Sequence, residues 1–332
     1  MTLSDRPESH QLWRSVVPQI AFEHHYLMRA ILAISALHLS RLRLQKHDHY
    51  AKIAVQQQDA ALSRFREKML SPDEALCDSF FAMSSLIVVY GFESPKASNT
   101  LGMFDSHGEH SDGWLPLIRG VNFILQSVWP SIKKGKLAVL LHDHAQAPPS
   151  TDLPDLLEEQ LVNLEQFSTE VPDNEEDKQA CTAATHQLRH CFIRIYNKTS
   201  SECEVSLAFL WPVMIPQHFL DMIHDRKPEA LVLLAFYCTI LHHLNDYWWL
   251  SGWGRHIVEN IRAELNDSLR DWVDWPSRVV GLPSTSSKSP INGSIHDMNE
   301  RNLLQANIDD KTQQQVATLL EGLKKAQPES VS

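Results

Sequence analysis

The 332-residue sequence predicts an all-α fold, an irregular multi-helix bundle that encloses an apolar pocket. One observation is periodicity, because apolar side chains recur at spacings of three and four residues, which places them on one side of a helix. A second is that no run alternates strictly between apolar and polar residues, as a half-buried strand does. A third is the content of 43% hydrophobic residues, which is enough for one large core or two ordinary ones.

Two predicted helices stand out in the first part of the chain. The segment from Tyr26 to Leu39 is apolar on most of its circumference, so we expect it to lie inside the bundle. A later helix is predicted by an apolar stripe that runs through Leu76, Phe80, Met83, Ile87 and Tyr90.

The second part of the chain predicts further helices. A cap signal at Ser150 and Thr151 precedes one of them. Pro228 suits the first turn of another, because proline is well tolerated there. The apolar stripes of the predicted helices are Leu157, Leu161 and Leu164, then Cys181, Ala184, Leu188, Cys191 and Ile195, and finally Leu231, Leu234, Cys238 and Leu241.

Composition divides the chain into two parts. Residues 1–282 carry the helical patterns, whereas Pro283 to Ser294 is a polar linker. Residues 298–325 hold only scattered apolar side chains, which offset the entropy of ordering poorly. We therefore expect a helical domain over residues 1–282 and a mobile tail with one marginal helix over residues 283–332.

Composition and charge exclude several classes of protein. No apolar run reaches the ~20 residues that span a bilayer, and the N-terminus carries no secretory signal. Five cysteines without a close pair favour reduced, buried thiols. The formal charge of −11 offers no basic surface for phosphates, so direct binding to nucleic acid is not expected. We expect a protein of the nucleus or cytoplasm without a membrane span.

The chain contains 18 histidines, yet their spacing does not support a metal site. His142-Asp143-His144 and the pair His107 and His110 supply two or three donors each, whereas zinc needs three or four that converge. A histidine near a helix C-terminus is also favoured by the helix dipole. We predict no metal and no cofactor.

Signatures of common enzyme mechanisms are absent, including the G-x-S-x-G elbow, the H-E-x-x-H zinc motif and the P-loop. The candidate catalytic residues are polar residues on otherwise apolar helices, namely His242, Asp246, His38 and Arg119. His242 and Asp246 are four residues apart, a spacing that suits a general acid/base pair in which the carboxylate raises the imidazole pKa. A surface ion pair explains the same spacing.

Aromatic residues crowd the last third of the helical domain, which holds six of the nine tryptophans. One interpretation is packing in the core and at helix ends, and the other is that some rings line an apolar ligand site between helices. Spacing alone does not separate the two. The predicted ligand-binding residues are Phe80, Met83, Phe123, Phe236, Tyr237, Trp249 and Trp253.

Several blocks of the chain resemble one family, in the same order. The blocks Leu12–Arg43, Tyr50–Arg66, Trp114–Trp129 and Arg226–Gly281 are similar to the C-terminal regulatory domain of fungal zinc-cluster transcription factors, especially the sterol uptake control proteins. The resemblance implies an all-helical ligand-sensing fold with an apolar pocket, which takes a sterol in the best-known members, and often a dimer.

The cysteines depart from the pattern of that family. The zinc cluster that binds DNA in the family uses two triplets of cysteines. Here the five cysteines lie 104, 10, 12 and 35 residues apart, at Cys77, Cys181, Cys191, Cys203 and Cys238. We therefore expect the DNA-binding module to be missing, either because the sequence is truncated or because the natural protein has only the sensor-like domain.

Two functions are compatible with these features. The first is a regulatory domain that binds an apolar small molecule, sterol or terpenoid-like, and signals as a homodimer or through a transcription-factor partner. The second is a cofactor-independent cyclase or isomerase of fungal secondary metabolism, because an enclosing pocket supplies proximity and desolvation. A sensor pocket would be almost wholly apolar, whereas a catalytic pocket would hold a deep ionisable group. A purely structural module would make no use of the aromatic residues.

Overall fold

The computed structural model of the protein describes residues 7–69, 76–97, 114–138, 150–197 and 204–283. These residues form helices and turns without any β-strand, which confirms the predicted all-α class. Across the same ranges, no helix has the length and apolar character needed to cross a membrane. The predictions for His107, His110, His142 and His144, and for the tail from residue 284 onward, lie outside the described residues.

The N-terminal part of the fold consists of paired helices. It contains α1 (Pro7–Gln11), a wide turn (Leu12–Val16), α2 (Val17–Glu23), α3 (His25–Leu42), a tight turn (Leu44–Lys46), α4 (His47–Met69), α5 (Cys77–Ala97) and α6 (Trp114–Ile132). The helices α5 and α6 are antiparallel, because Gly91 near the end of α5 lies against Leu117 near the start of α6. At the other end of the pair, Asp78 accepts hydrogen bonds from the backbone nitrogens of Lys136 and Leu137, at 2.9 and 3.0 Å.

Helix α3 is buried on one side. It packs against α4 and α5 and buries Tyr26, Leu27, Ala30, Ala33, Ile34, Ala36 and Leu37. Its outer edge is open, where Leu32 is 48% and Leu39 is 36% exposed. The segment from Tyr26 to Leu39 thus lies inside the bundle as predicted except along this edge, because only Arg29, Leu32 and Leu39 within it are exposed.

Helices α7 (Asp155–Glu170) and α8 (Glu175–Tyr196) form another pair. Arg189 of α8 donates hydrogen bonds to Glu158 at 2.8 Å and to Glu165 at 2.6 Å. Deeper in the interface, the hydroxyls of Ser168 and Thr185 lie 2.6 Å apart and are buried. Polar contacts thus set the register of the two helices.

The start of α7 differs from the prediction. The helix begins at Asp155, with Pro154 in the N-cap position, and not directly after Ser150 and Thr151. The Ser150 hydroxyl accepts a hydrogen bond from the backbone nitrogen of Asp152 at 3.0 Å. The residue that resembled a helix cap therefore forms a local turn, which is the other common use of serine at such positions.

The C-terminal part of the fold surrounds one central helix. It contains α9 (Glu204–Ala208), α10 (Leu210–Met214), α11 (Gln217–His224), α12 (Pro228–His243), α13 (Trp253–Glu264), α14 (Asp267–Arg270), a tight turn (Asp271–Val273) and α15 (Asp274–Val279). Every residue from Ala230 to Leu241 in α12 is buried. Pro228 lies in the first turn of α12 and Lys227 is its N-cap, which confirms the predicted start.

A buried carboxylate joins α8, α11 and the start of α12. The Asp177 side chain is 4% exposed and accepts hydrogen bonds from Lys227 at 2.5 Å, His218 at 2.7 Å and Asn174 at 2.7 Å. Burial alone would raise the pKa of Asp177, but the three hydrogen bonds outweigh burial and lower the pKa. The hydrogen bond to Asp177 is also the main cause of the raised pKa of Lys227.

Candidate functional site

The candidate ligand site is a group of aromatic residues where α5, α6, α12 and α13 meet the α9–α10 segment. This aromatic cluster consists of Phe92, Trp114, Phe209, Trp211, Tyr237, Trp249 and Trp253. All of its members except Phe209 are at most 3% exposed, and Phe209 is partly exposed. The helix ends and the short α9–α10 segment bring together residues from distant parts of the chain.

Phe92 lies at the centre of the aromatic cluster. Its ring centroid is 5.3 Å from that of Trp114, 5.4 Å from Trp253, and 5.7 Å from both Phe209 and Trp249. These separations are those of favourable stacked and edge-to-face aromatic pairs. The backbone carbonyl of Phe92 also accepts a hydrogen bond from Trp253 Nε1 at 2.8 Å.

A second stack extends the cluster along α12. Tyr237 lies between Trp211 and Trp114, with centroid distances of 4.5 and 5.8 Å and interplanar angles of 20° and 16°. The Tyr237 hydroxyl donates to the carbonyl of Ala208 at 3.2 Å, and Trp211 Nε1 donates to the carbonyl of Ala184 at 2.9 Å. Burial raises the pKa of Tyr237 well above its usual value, so the phenol is neutral.

Three of the predicted ligand-binding residues belong to the aromatic cluster, namely Tyr237, Trp249 and Trp253. Phe80 instead contacts Phe65, at a centroid distance of 5.2 Å, in a separate group between α4 and α5. Met83 is fully buried in the core.

The two remaining predicted residues lie elsewhere. Phe236 is buried, but its ring stacks on Trp275 of α15 at 5.2 Å, because successive residues of a helix point about 100° apart. Phe123 is 75% exposed on the outer side of α6. Neither residue has a ring contact with the aromatic cluster among the residues that the structure describes.

Four members of the cluster were not among the predicted ligand-binding residues: Phe92, Trp114, Phe209 and Trp211. Trp211 is one of the six tryptophans in the last third of the helical domain, so the composition of that region indicated it as a candidate. Phe92, Trp114 and Phe209 stand singly in different elements, and no periodicity links them. Only the packing of α5 on α6 and of both on α12 and α13 shows that they meet.

The predicted acid/base pair does not form. Helix α12 ends at His243, so Asp246 lies in the following turn, where it is exposed. Burial, together with nearby Arg255, lowers the pKa of His242, which is opposite to the shift that a carboxylate partner would cause. His242 Nδ1 is buried and has no hydrogen-bond partner within the described ranges.

The other two candidate catalytic residues are also separate. The His38 ring lies 4.7 Å from Trp248, and burial is the main cause of its lowered pKa. Arg119 donates a hydrogen bond to the carbonyl of Ile215 at 2.7 Å. In the part of the chain that the structure describes, no hydrogen bond or ion pair joins any two of the four candidates.

Arg119 lines an open groove between α6 and α11. The groove has a volume of about 320 Å³ and is also lined by Gln217, Leu220, Asp221 and His224. Its wall is mixed in charge and polarity, in contrast to the aromatic cluster, and Gln217 donates to Asp221 at 3.0 Å. The groove therefore differs from the aromatic cluster, because four of its five lining residues carry polar or charged side chains.

The interior offers little reactive or metal-binding chemistry. Burial raises the pKa of the Cys181 and Cys191 thiols to about 12, so both are protonated and poor nucleophiles. Within the described ranges, no group of three or more His, Cys, Asp or Glu side chains is arranged so that it could hold a metal ion.

The structure thus defines the class of protein as an all-helical domain with a buried aromatic cluster. Residues 1–147 match the family model described as the fungal specific transcription factor domain. This range includes α1 to α6 and the Phe92 and Trp114 rings. The resemblance found in the sequence is therefore confirmed by a family model over the first part of the chain and by curated relatives.

Curated relatives extend this similarity to the rest of the chain. A Zn(2)-C6 fungal-type transcription factor of Gibberella zeae is 22% identical over 317 residues, which cover 88% of this chain and 61% of that protein. Sterol uptake control protein 2 of Saccharomyces cerevisiae is 27% identical over 146 residues, or 44% of this chain and 15% of that protein. Its namesake in Candida albicans is 20% identical over 272 residues, or 75% of this chain and 36% of that protein. The chain thus spans between 15% and 61% of the length of these relatives.

Proposed function

We propose that this chain is a regulatory domain of the fungal transcription-factor type, and that its aromatic cluster binds an apolar small molecule, sterol or terpenoid-like. The observation that carries the proposal is the aromatic cluster itself, a buried junction of rings from several helices. Sites for small apolar ligands are lined mainly by aromatic and apolar side chains and often lie between helices. The names of the relatives from Saccharomyces cerevisiae and Candida albicans favour a sterol as the first compound to test.

Phe209 is the side chain through which a ligand would enter. It is the one partly exposed member of the aromatic cluster, and its ring stacks on Phe92 at 5.7 Å and 16°. It lies between α9 and α10, each only five residues long, and helices this short have little stability of their own. Rotation of this one ring would open a path to Phe92 without unfolding the core.

A polar link supports transmission of the signal from the aromatic cluster to the N-terminal helices. Trp249 belongs to the cluster, and the carbonyl of the adjacent Trp248 accepts a hydrogen bond from Arg41 of α3. Arg41 also pairs with the buried carboxylate of Glu93 in α5, at 3.5 Å. A ligand that shifts Trp249 would therefore change the position of α3 relative to α5.

The regulatory output follows from the family and from the charge of the chain. We propose that the protein acts in the nucleus, where it influences transcription as a homodimer or through a transcription-factor partner. These 332 residues have a formal charge of −11, which opposes close approach to DNA phosphates, so contact with DNA would be made by other sequences or by the partner.

The first experiment asks whether the protein holds a ligand. Native mass spectrometry of the protein purified from a fungal host should show a retained apolar compound of defined mass, and it also reports the oligomeric state. In parallel, titration with the fluorescent sterol dehydroergosterol should give saturable energy transfer from the cluster tryptophans. The absence of both a retained compound and saturable transfer would refute the proposal.

A pair of variants tests the location of the site. Phe209→Ala removes a cluster ring and should weaken dehydroergosterol binding about tenfold, which corresponds to ~1.4 kcal/mol. Phe123→Ala makes the same chemical change on the outer side of α6 and should leave the affinity unchanged. Equal losses in the two variants would place the ligand elsewhere.

Tyr237→Ala tests the centre of the site but needs a stability control. The side chain is fully buried between two indoles, so its removal should cost roughly 3–5 kcal/mol of folding free energy as well as affinity. Tyr237→Phe keeps the ring and loses only the hydrogen bond to Ala208. Binding that survives in Tyr237→Phe and fails in a folded Tyr237→Ala protein would assign the contact to the ring.

A further inference from the structure

Within the aromatic cluster, the indole nitrogen of Trp114 is buried without an acceptor among the described residues. Trp253 Nε1 donates to the carbonyl of Phe92 at 2.8 Å, and Trp211 Nε1 donates to the carbonyl of Ala184 at 2.9 Å. Trp114 Nε1 is equally buried, in a side chain that is 3% exposed, yet no acceptor lies within hydrogen-bonding distance among the described residues. Buried tryptophans normally find an acceptor, so this exception requires an explanation.

We propose that Trp114 Nε1 is the polar anchor of the ligand site and donates a hydrogen bond to an oxygen atom of the bound molecule. This inference rests on the proposed function and specifies the ligand further. An unpaired buried N–H costs roughly 1–3 kcal/mol. A ligand oxygen that accepts this hydrogen bond removes that cost, so binding of a ligand with an oxygen atom at this position is favoured.

The surroundings of Trp114 define the chemical class of the ligand. The indole lies 5.3 Å from Phe92 and 5.8 Å from Tyr237, between ring centroids, so the donor is enclosed by aromatic walls. The Tyr237 hydroxyl already donates to Ala208 and is neutral. A charged ligand group would therefore meet no counter-charge from these neighbours, and burial of an unpaired charge is strongly unfavourable. The ligand is an apolar molecule with one neutral oxygen, such as an alcohol or a ketone.

The matched compounds for the test are cholesterol and 5-cholestene, which differ only in the hydroxyl group. Each displaces dehydroergosterol from the full chain, and the ratio of their affinities measures how strongly the protein prefers the oxygen. The wild-type protein should bind cholesterol about tenfold more tightly, which is the usual effect of one buried hydrogen bond. Trp114→Phe keeps an aromatic ring and removes the N–H, so it should reduce this ratio to about one while the affinity for 5-cholestene changes little.

The binding control is Trp272→Phe, at an indole that contacts Phe167 outside the aromatic cluster, and it should keep the preference for cholesterol. The stability control is Trp253→Phe, which makes the same change at an indole that is already paired within the protein. It should lower the urea midpoint of unfolding more than Trp114→Phe does, because it leaves the Phe92 carbonyl without its donor. This stability comparison needs no ligand, and an equal or larger loss in Trp114→Phe would show that the Trp114 donor has a partner within the protein.

The possible outcomes separate the two proposals. If the wild-type protein binds neither compound, the proposed function and the anchor both fail. If it binds both and Trp114→Phe retains the full preference for cholesterol, the sterol site stands and the anchor is refuted. Loss of the preference in Trp114→Phe but not in Trp272→Phe supports the anchor.

Discussion

Replacement of Gly254 by alanine would force α12 and α13 apart. Gly254 is the second residue of α13 and lies directly against α12. A Cβ atom added there would be 2.4 Å from the carbonyl oxygen of Cys238 and 2.7 Å from the backbone nitrogen of His242. Ordinary contact begins at 3.4 Å, so the helices must separate by about 1 Å.

The clash cannot be relieved by a side-chain rotation, because the two nearest atoms belong to the backbone of the buried helix α12. Overpacking in a core typically costs 1–3 kcal/mol, and a backbone clash belongs at the upper end of that range. We therefore expect Gly254→Ala to lower the free energy of unfolding by about 3 kcal/mol, a large part of the 5–15 kcal/mol typical of a whole domain.

The assay is urea unfolding followed by tryptophan fluorescence and far-UV circular dichroism. Gly120→Ala is the matched control, because a Cβ at Gly120 in α6 would meet nothing within 4 Å. That variant should gain about 0.5–1 kcal/mol from the higher helix propensity of alanine. A Gly254→Ala protein within about 1 kcal/mol of wild type, with an unchanged denaturant dependence, would refute the proposed close crossing.

Three further predictions concern the buried polar and thiol groups. Asp177→Asn should lower the free energy of unfolding by about 2 kcal/mol in urea at pH 7, because hydrogen bonds to charged groups contribute about 1.5–3 kcal/mol. The pKa of Asp177 in the folded protein is lowered from 3.8. The difference from wild type should therefore persist above pH 3.8 and disappear as the pH falls through the lower, folded-state pKa. Iodoacetamide at pH 8 should not label Cys181 or Cys191 in the native protein, as mass spectrometry of the digested protein would show, because the pKa of each thiol is about 12. Ser168→Ala should cost about 1–3 kcal/mol in the same unfolding assay, because it leaves the buried Thr185 hydroxyl without its partner at 2.6 Å.

Each of these predictions has its own control and its own contrary result. For Asp177, an equal destabilisation by Asn at pH 7 and well below pH 3.8 would show that the carboxylate charge plays no part. For the thiols, labelling in urea is the positive control, and rapid native labelling would mean that the sites open frequently. For Ser168→Ala, the double variant with Thr185→Val should recover part of the loss, because it removes both polar partners together; no recovery would mean that the hydrogen bond is not the cause.

The all-helical class was predictable because its signal is local. A stripe such as Phe80, Met83 and Ile87 requires only that residues three and four apart share one side of a helix. The start of α12 at Pro228 was local in the same way. Local signals were less reliable where two local structures compete, as at Ser150, whose hydroxyl forms a turn and not the cap of α7.

The candidate site was predictable only in part. Tyr237, Trp249 and Trp253 were found because they belong to a region dense in aromatic residues. Phe92 was not found, although its ring is the centre of the cluster, because its neighbours there lie on other helices. The pairing of His242 with Asp246 failed for a related reason, since the spacing holds only if the helix continues, and α12 ends at His243.

The sequence by itself determined the helices, the net acidic charge and the family resemblance, because each depends on composition or on neighbours along the chain. Tertiary structure alone decided which rings meet, that Phe123 faces outward, and that the buried indole nitrogen of Trp114 has no acceptor among the described residues. The physical reason is that helix periodicity specifies which side of a helix is apolar, whereas ring contacts and hydrogen bonds between helices depend on the angle and register at which they pack.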